Sequence, residues 1–207
     1  MCASRIEASV PGVRFEPVTV STTGDRDRQT DLRESSSDFF SRELDDALLA
    51  GEIDCALHSA KDLPETVPEG IDRFWLPWRE DPRDAVVLPR GHPEMPQGSF
   101  RVGVSSDRRA AYSRERFPDA AQVTVRGNIE APPAQLDSGG FDMLIMAAAA
   151  LHRLNLHGRI SAYIPLEELQ VPAGQGALAL TYRRDDQRFV ALRNLLVYPV
   201  CLAGAGI

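Results

Sequence analysis

Lysine is nearly absent from this chain: Lys61 is the only one among 23 basic residues in 207, and the rest are arginine. Arginine excess by itself can follow from base composition, so single arginines say little. A solitary lysine followed by an aspartate where a strand ends says more. Long apolar runs are missing too. No stretch approaches the roughly 18 residues of a membrane-spanning helix, and the opening "MCASRIEASVPG" lacks a signal peptide's apolar centre. The expectation is a cytoplasmic chain with no membrane partner. Cysteine is scarce: Cys2, Cys55 and Cys201 are odd in number and far apart, which excludes a disulfide framework and a Cys-x-x-Cys metal site. His92, His152 and His157 have no acids or cysteines at ligand spacing, so no metal is expected. Net positive charge is also missing. At −7, the chain cannot hold nucleic acid by general potential, and any anionic ligand must be gripped locally.

What is present is enough apolar material, 43% of residues, for one large domain or two small ones. "VRFEPVTVST" (Val13–Thr22) alternates as a strand does, and the polar, glycine-containing "TGDRDRQTDLRESSS" after it predicts a loop. Between Asp38 and Ala50, Phe40, Leu44, Ala47 and Leu48 recur at helical spacing, with Ser37 as candidate N-cap and Gly51 as the stop. The apolar segment Ile53–Leu57 then predicts a buried strand. "GHPEMPQGS" (Gly91–Ser99) is the strongest proline- and glycine-rich break, and a domain crossing is placed just after it. Beyond it, strands "RVGVS", "AQVTVRG" and "FDMLIMA" alternate with helices "DRRAAYSRERF", "IEAPPAQLDSG" and "AAALHRLNL". That order predicts an α/β fold with mainly parallel sheets. The expected division is residues 1–99, 100–195 and a short 196–207 segment, with the chain returning to the first domain after about Leu195.

In such folds ligands gather where carboxyl ends of strands meet helix N-termini. The polar clusters fall there: "HSAKD" after one strand, "SSDRR" after another, "RGN" after a third. Ser105 or Ser106 can cap the helix that follows, and Arg108 and Arg109 can grip carboxylates bidentately or simply be solvated. Arg126 closes a strand, Gly127 permits a tight turn and Asn128 can cap. Asp62 is either Lys61's surface partner or a carboxylate that stabilises a developing cation or handles a proton. His58 can join it or serve as a hydrogen-bonded structural residue.

Taken in order, "GEIDCALHSAKDLP", "REDPRDAVV", "RVGVSSDRRAA", "VRGNI", "MAAAALHRLNL" and "VPAGQGALAL" resemble porphobilinogen deaminase, also called hydroxymethylbilane synthase. The likeness runs from about Val13 to Arg193. It implies two periplasmic-binding-protein-like domains with a cleft between them, and a tetrapyrrole-biosynthesis enzyme that joins porphobilinogen units with release of ammonia on a dipyrromethane cofactor. It further implies Asp62 as the catalytic carboxylate that stabilises the cation left when ammonia departs. Ser59, Lys61, Ser105, Ser106, Arg108, Arg109, Arg126, Gly127 and Asn128 would hold the cofactor, and Arg153 would lie in the substrate pocket.

Several positions depart from the family pattern. Its opening Arg-x-Ser-x-Leu-Ala strand has no counterpart ahead of Met1. Ser37 stands where a lysine is usual, Pro132 where an arginine is, and Thr181 where a glutamate is. The third domain, with its Gly-Gly-Cys cofactor loop, is not in the sequence, so dipyrromethane is not expected to be attached covalently. The closing "YPVCLAGAGI" resembles the start of a uroporphyrinogen III methyltransferase, which would make that enzyme, or a separate third-domain chain, a partner. The alternative reading is a catalytically impaired deaminase-like module that binds anionic pyrroles or acts as a scaffold for the methyltransferase.

Overall fold

The computed structural model describes residues 2–20, 41–92, 94–127 and 129–197. In chain order the elements are α1 (Cys2–Ser9), α2 (Arg42–Ala50), β1 (Cys55–Ser59), β2 (Ile71–Arg79), β3 (Asp84–Val87), β4 (Phe100–Val104), α3 (Asp107–Arg116), β5 (Ala120–Thr124), α4 (Ala131–Asp137), β6 (Met143–Ala147), α5 (Ala148–Arg153), β7 (Ile160–Tyr163), β8 (Ala177–Arg183) and α6 (Gln187–Val197). Among these helices none is long and apolar enough to cross a membrane.

The elements form two compact units. The described part of the first is built from residues 2–20, 41–78 and 177–197, and the second from 79–176. The crossings therefore fall at Trp78/Arg79 and Gly176/Ala177. The proline- and glycine-rich 91–99 segment lies inside the second unit, as a surface connection between β3 and β4, and the chain returns to the first unit before β8 rather than after Leu195.

In the first unit the sheet order is β1-β8-β2, with β1 antiparallel to β8 and Cys55 opposite Tyr182. One core joins Ile6 and Val10 from the α1 side, Phe74 and Leu76 of β2, Leu180 and Tyr182 of β8, and Phe189, Leu192 and Leu196 of α6. Tyr182 is its centre, stacked on Phe189 with centroids 5.6 Å apart and edge-on to Phe74. Leu48 of α2 packs with Ala56 and Ile71 in a separate cluster. α2 stops where glycine makes stopping cheap: Gly51 takes φ 76°, and Gly51 and Glu52 return hydrogen bonds to Leu48 and Ala47 carbonyls. Its N-cap is Ser41; Ser37 lies outside the described residues. Residues 13–20 form no strand despite their alternation. Val13 and Phe15 satisfy it by packing against the first core, and Phe15 N–H donates to Glu7 instead of to a ladder. The predicted 23–37 loop lies outside the described residues.

The second unit holds a five-stranded sheet, β5-β4-β6-β3-β7. Where strand follows helix follows strand the pairing is parallel, as for β4 with β5 and with β6. β3 enters from the first unit outside that rhythm and pairs antiparallel with β6 and β7. β6 is buried along its whole length because both faces are covered. Met143 and Ile145 join Val86, Val102 and Val104 on one side, and Leu144 and Met146 join Ala85, Val87 and Phe141 on the other. Gly103 allows this closeness, since a Cβ there would lie 2.8–2.9 Å from the Phe141 ring. α4 tolerates Pro132 and Pro133 because first-turn N–H groups have no intrahelical partner to lose.

Candidate functional site

In the first unit the candidate residues lie at the end of β1. Its alternation buries Ala56, His58 and Ala60 and leaves Leu57 exposed and Ser59 half-buried. The strand then gives way to a single 3₁₀ turn, Ala60–Asp62, ended by Leu63 in extended backbone and followed by Pro64. Ala60 anchors the turn against Ala177, Ala179 and Leu63. With that side fixed, Lys61 is half-buried and Asp62 is exposed.

Behind the turn, His58 Nε2 and Thr181 Oγ1 share a hydrogen bond of 2.9 Å, both residues being buried. Burial pushes the imidazole down to about 4, so His58 is neutral near pH 7 and acts structurally rather than as Asp62's partner in charge. The sign of the pH effect follows. The unfolded chain takes up a proton near the ordinary histidine value of about 6.5 while the fold resists until about 4. Stability from this group is therefore complete above the unfolded value and lost as pH falls through that window, by up to roughly 3 kcal/mol. Thermal melts between pH 7 and 4.5 are expected to fall more steeply for the wild type than for His58→Gln; parallel curves would contradict the assignment.

In the second unit the candidate residues gather at the N-terminus of α3. Ser106 takes extended backbone angles and caps the helix, its Oγ accepting from Arg109 N–H at 3.4 Å. Ser105 and Ser106 are exposed. Arg108 and Arg109 converge on Asp84, the first residue of β3. Arg108 Nη2 lies 2.6 Å from Asp84 Oδ2, and Arg109 Nη2 lies 2.7 Å from Oδ1. Gln175 Nε2 adds a donor to Oδ1 at 3.1 Å. Burial alone would raise the Asp84 carboxyl, but Arg109 and then Arg108 more than offset it and hold it below the ordinary carboxylate value. Asp84 is the residue that sequence reasoning passed over. Its signal was a carboxylate opening the otherwise apolar strand "DAVV", with an arginine pair at a later strand end.

After β5, Arg126 is half-buried and Gly127 turns the chain at φ 112°, a left-handed conformation suited to glycine. Asn128 lies outside the described residues. Arg153, the last residue of α5, donates from Nη2 to Gly176 O at 2.8 Å. Beside it, His152 lies 3.1 Å from the Tyr163 hydroxyl and 3.4 Å from Glu80 Oε2. The structure thus joins Ser105, Ser106, Arg108 and Arg109 into one cluster in the second unit and Ser59, Lys61 and Asp62 into one turn in the first. Residues 1–191 match the profile of a known family, "Porphobilinogen deaminase, dipyromethane cofactor binding domain".

The chain belongs to the porphobilinogen deaminase family. It is 41% identical to the porphobilinogen deaminase of Syntrophobacter fumaroxidans over 184 residues, 87% of this chain and 59% of that protein. The Geobacter metallireducens porphobilinogen deaminase is 41% identical over 186 residues, 88% of this chain and 58% of that protein. The one from Chromobacterium violaceum is 40% identical over 199 residues, 95% and 64% respectively. The chain spans about three fifths of the length of these relatives. In fold it is similar to the VFT2 domain of Bordetella pertussis BvgS, with TM-score 0.50 at 17% identity over 95% of this chain and 76% of that one. The family's dipyrromethane cofactor carries carboxylates, for which a lysine ammonium, exposed serine hydroxyls and arginine forks are suitable donors. Of the described cysteines, Cys2 and Cys55 are half-buried, and burial pushes the Cys55 thiol up to about 11, far from a reactive thiolate.

Proposed function

We propose that the protein works in tetrapyrrole biosynthesis as a transferase of the hydroxymethylbilane synthase type, condensing porphobilinogen with release of ammonia in the cytoplasm. The observation that carries this reading is the exposed residue Asp62 on the anchored Ala60–Asp62 turn, in a chain that matches the deaminase family over residues 1–191. As the aminomethyl group of the substrate loses ammonia, its carbon becomes cationic. A fixed carboxylate in reach lowers the energy of that state without having to reorganise. Ser59, Lys61, Ser105, Ser106, Arg108, Arg109, Arg126, Gly127 and Asn128 form the set that holds acetate and propionate side chains, and Arg153 belongs with the substrate. Dipyrromethane, when bound, supplies the pyrrole acceptor on which the chain is built. With Cys2 and Cys55 ill suited to anchor it, we infer that the anchor is supplied by a third domain on a partner chain or elsewhere in a longer or fused protein. Pro132, at the start of α4 where the family resemblance implies an arginine, would leave the set one cation short, and turnover by these 207 residues alone is expected to be slow.

Two measurements on the purified chain test the reading. Its intact mass is expected to equal that of the sequence, with no Ehrlich colour; an adduct abolished by Cys201→Ser would place the anchor at Cys201 instead. Porphobilinogen is expected to bind more tightly at low than at high ionic strength, because the grip is charge on charge. Absence of binding at millimolar porphobilinogen would overturn the proposal.

A further inference from the structure

The charges at the N-terminus of α3 are not equivalent. Asp84's side chain is fully enclosed, Arg109's is 6% exposed and Arg108's is 29% exposed. Arg109 directs Nε and Nη2 to Asp84 Oδ1, at 3.2 and 2.7 Å, and Nη1 to Ser105 Oγ at 2.7 Å. Arg108 meets Asp84 through Nη2 and gives Nη1 to the Gln170 carbonyl at 2.8 Å. One carboxylate between two guanidinium groups leaves a single positive charge, and it is Arg108 that reaches solvent beside the exposed Ser105 and Ser106.

We propose that Asp84 is a positioning residue that divides the arginine pair: it builds Arg109 into the interior of the unit and steadies Arg108, so that Arg108 is the arginine that receives a ligand carboxylate. Handing Arg109 to a ligand would break three hydrogen bonds and strand a buried charge, whereas Arg108 can exchange one carboxylate for another at its solvent side. This rests on the carboxylate-binding role proposed above and narrows it from two arginines to one.

The test follows arginine ¹⁵Nε resonances of the full chain during titration with propionate at constant ionic strength, and separately with porphobilinogen. Arg108 is expected to shift with both and Arg109 with neither. Arg108→Gln is expected to weaken porphobilinogen binding about ten-fold with melting changed by less than about 2 °C, while Arg109→Gln lowers melting by more than about 5 °C. In binding, Asp84→Asn and Arg108→Gln are expected to be non-additive, and Asp84→Asn and Arg126→Gln additive. A shift at Arg109, no shift at either arginine, equal melting losses or an additive Asp84–Arg108 cycle would each overturn the proposal; if Asp84→Asn does not fold, the wild-type titration decides. If porphobilinogen fails to bind while propionate still moves Arg108, the pyrrole reading falls and the division of the pair stands.

Discussion

Asp62→Asn is expected to reduce porphobilinogen turnover by about 10²-fold or more, the usual scale for removing a positioned charge or proton-transfer group, while binding stays nearly intact. The substitution keeps the shape of a side chain that is exposed on its turn, so packing should respond little. What it removes is a negative charge needed chiefly when the substrate carbon becomes cationic, so the loss belongs in kcat rather than in ground-state affinity. The comparison is made with the chain alone or, if that turns over too slowly, with the chain supplemented by a third-domain partner. Equal bilane formation by wild type and variant would sink the assigned mechanism, and a loss confined to KM would recast Asp62 as a binding group.

Replacing Asp84 with alanine should be among the most damaging single changes in the second unit. It leaves Arg109, whose side chain is almost wholly enclosed, with no countercharge, and breaking a buried ion pair from one side typically costs about 3–5 kcal/mol. At the size of this unit that corresponds to a fall in melting temperature of roughly 10 °C or more. Replacing Asp84 and Arg109 together by apolar residues of similar volume should cost less than Asp84→Ala alone, because the expense lies in the orphaned charge rather than in the lost pair. Urea unfolding of the three proteins decides the point: a loss under about 1 kcal/mol for Asp84→Ala would mean that Arg109 swings out to water.

How far the sequence could be read depended on how local the cause was. The Gly51 stop of α2, a serine cap on α3, at Ser106 of the two offered, and the doubly covered β6 are written in spacings of a few residues and formed as expected, whereas the N-cap of α2 is Ser41 rather than Ser37. The Lys61–Asp62 turn was legible for the same reason. Asp84 was not, because its partners lie 25 and 91 residues along the chain, and a carboxylate opening an apolar strand does not say which distant groups it meets. The alternation of residues 13–20 predicted a strand because alternation reports two-sidedness, and packing of Val13 and Phe15 satisfied that without a ladder. The crossings were hidden because they occur at the end of one strand and the start of another, whereas proline and glycine cluster in a loop of the second unit.

Those crossings have a further meaning. Glu80 N–H donates to the Gly176 carbonyl at 3.0 Å, Arg79 Nε reaches the Gln175 carbonyl at 2.8 Å, and Gly176 sits at φ 85° where a Cβ would run into the Glu80 carbonyl. Topologically, residues 79–176 are a cassette inserted into a host, with both ends stitched together at a single seam. Because the ends already meet, the loop entropy of bridging 78 to 177 by a short linker is small, and the cassette's own termini can be joined to open new ones elsewhere. The seam also explains why glycine is needed at 176: a side chain there would pry apart the two strands through which the cassette is joined to its host.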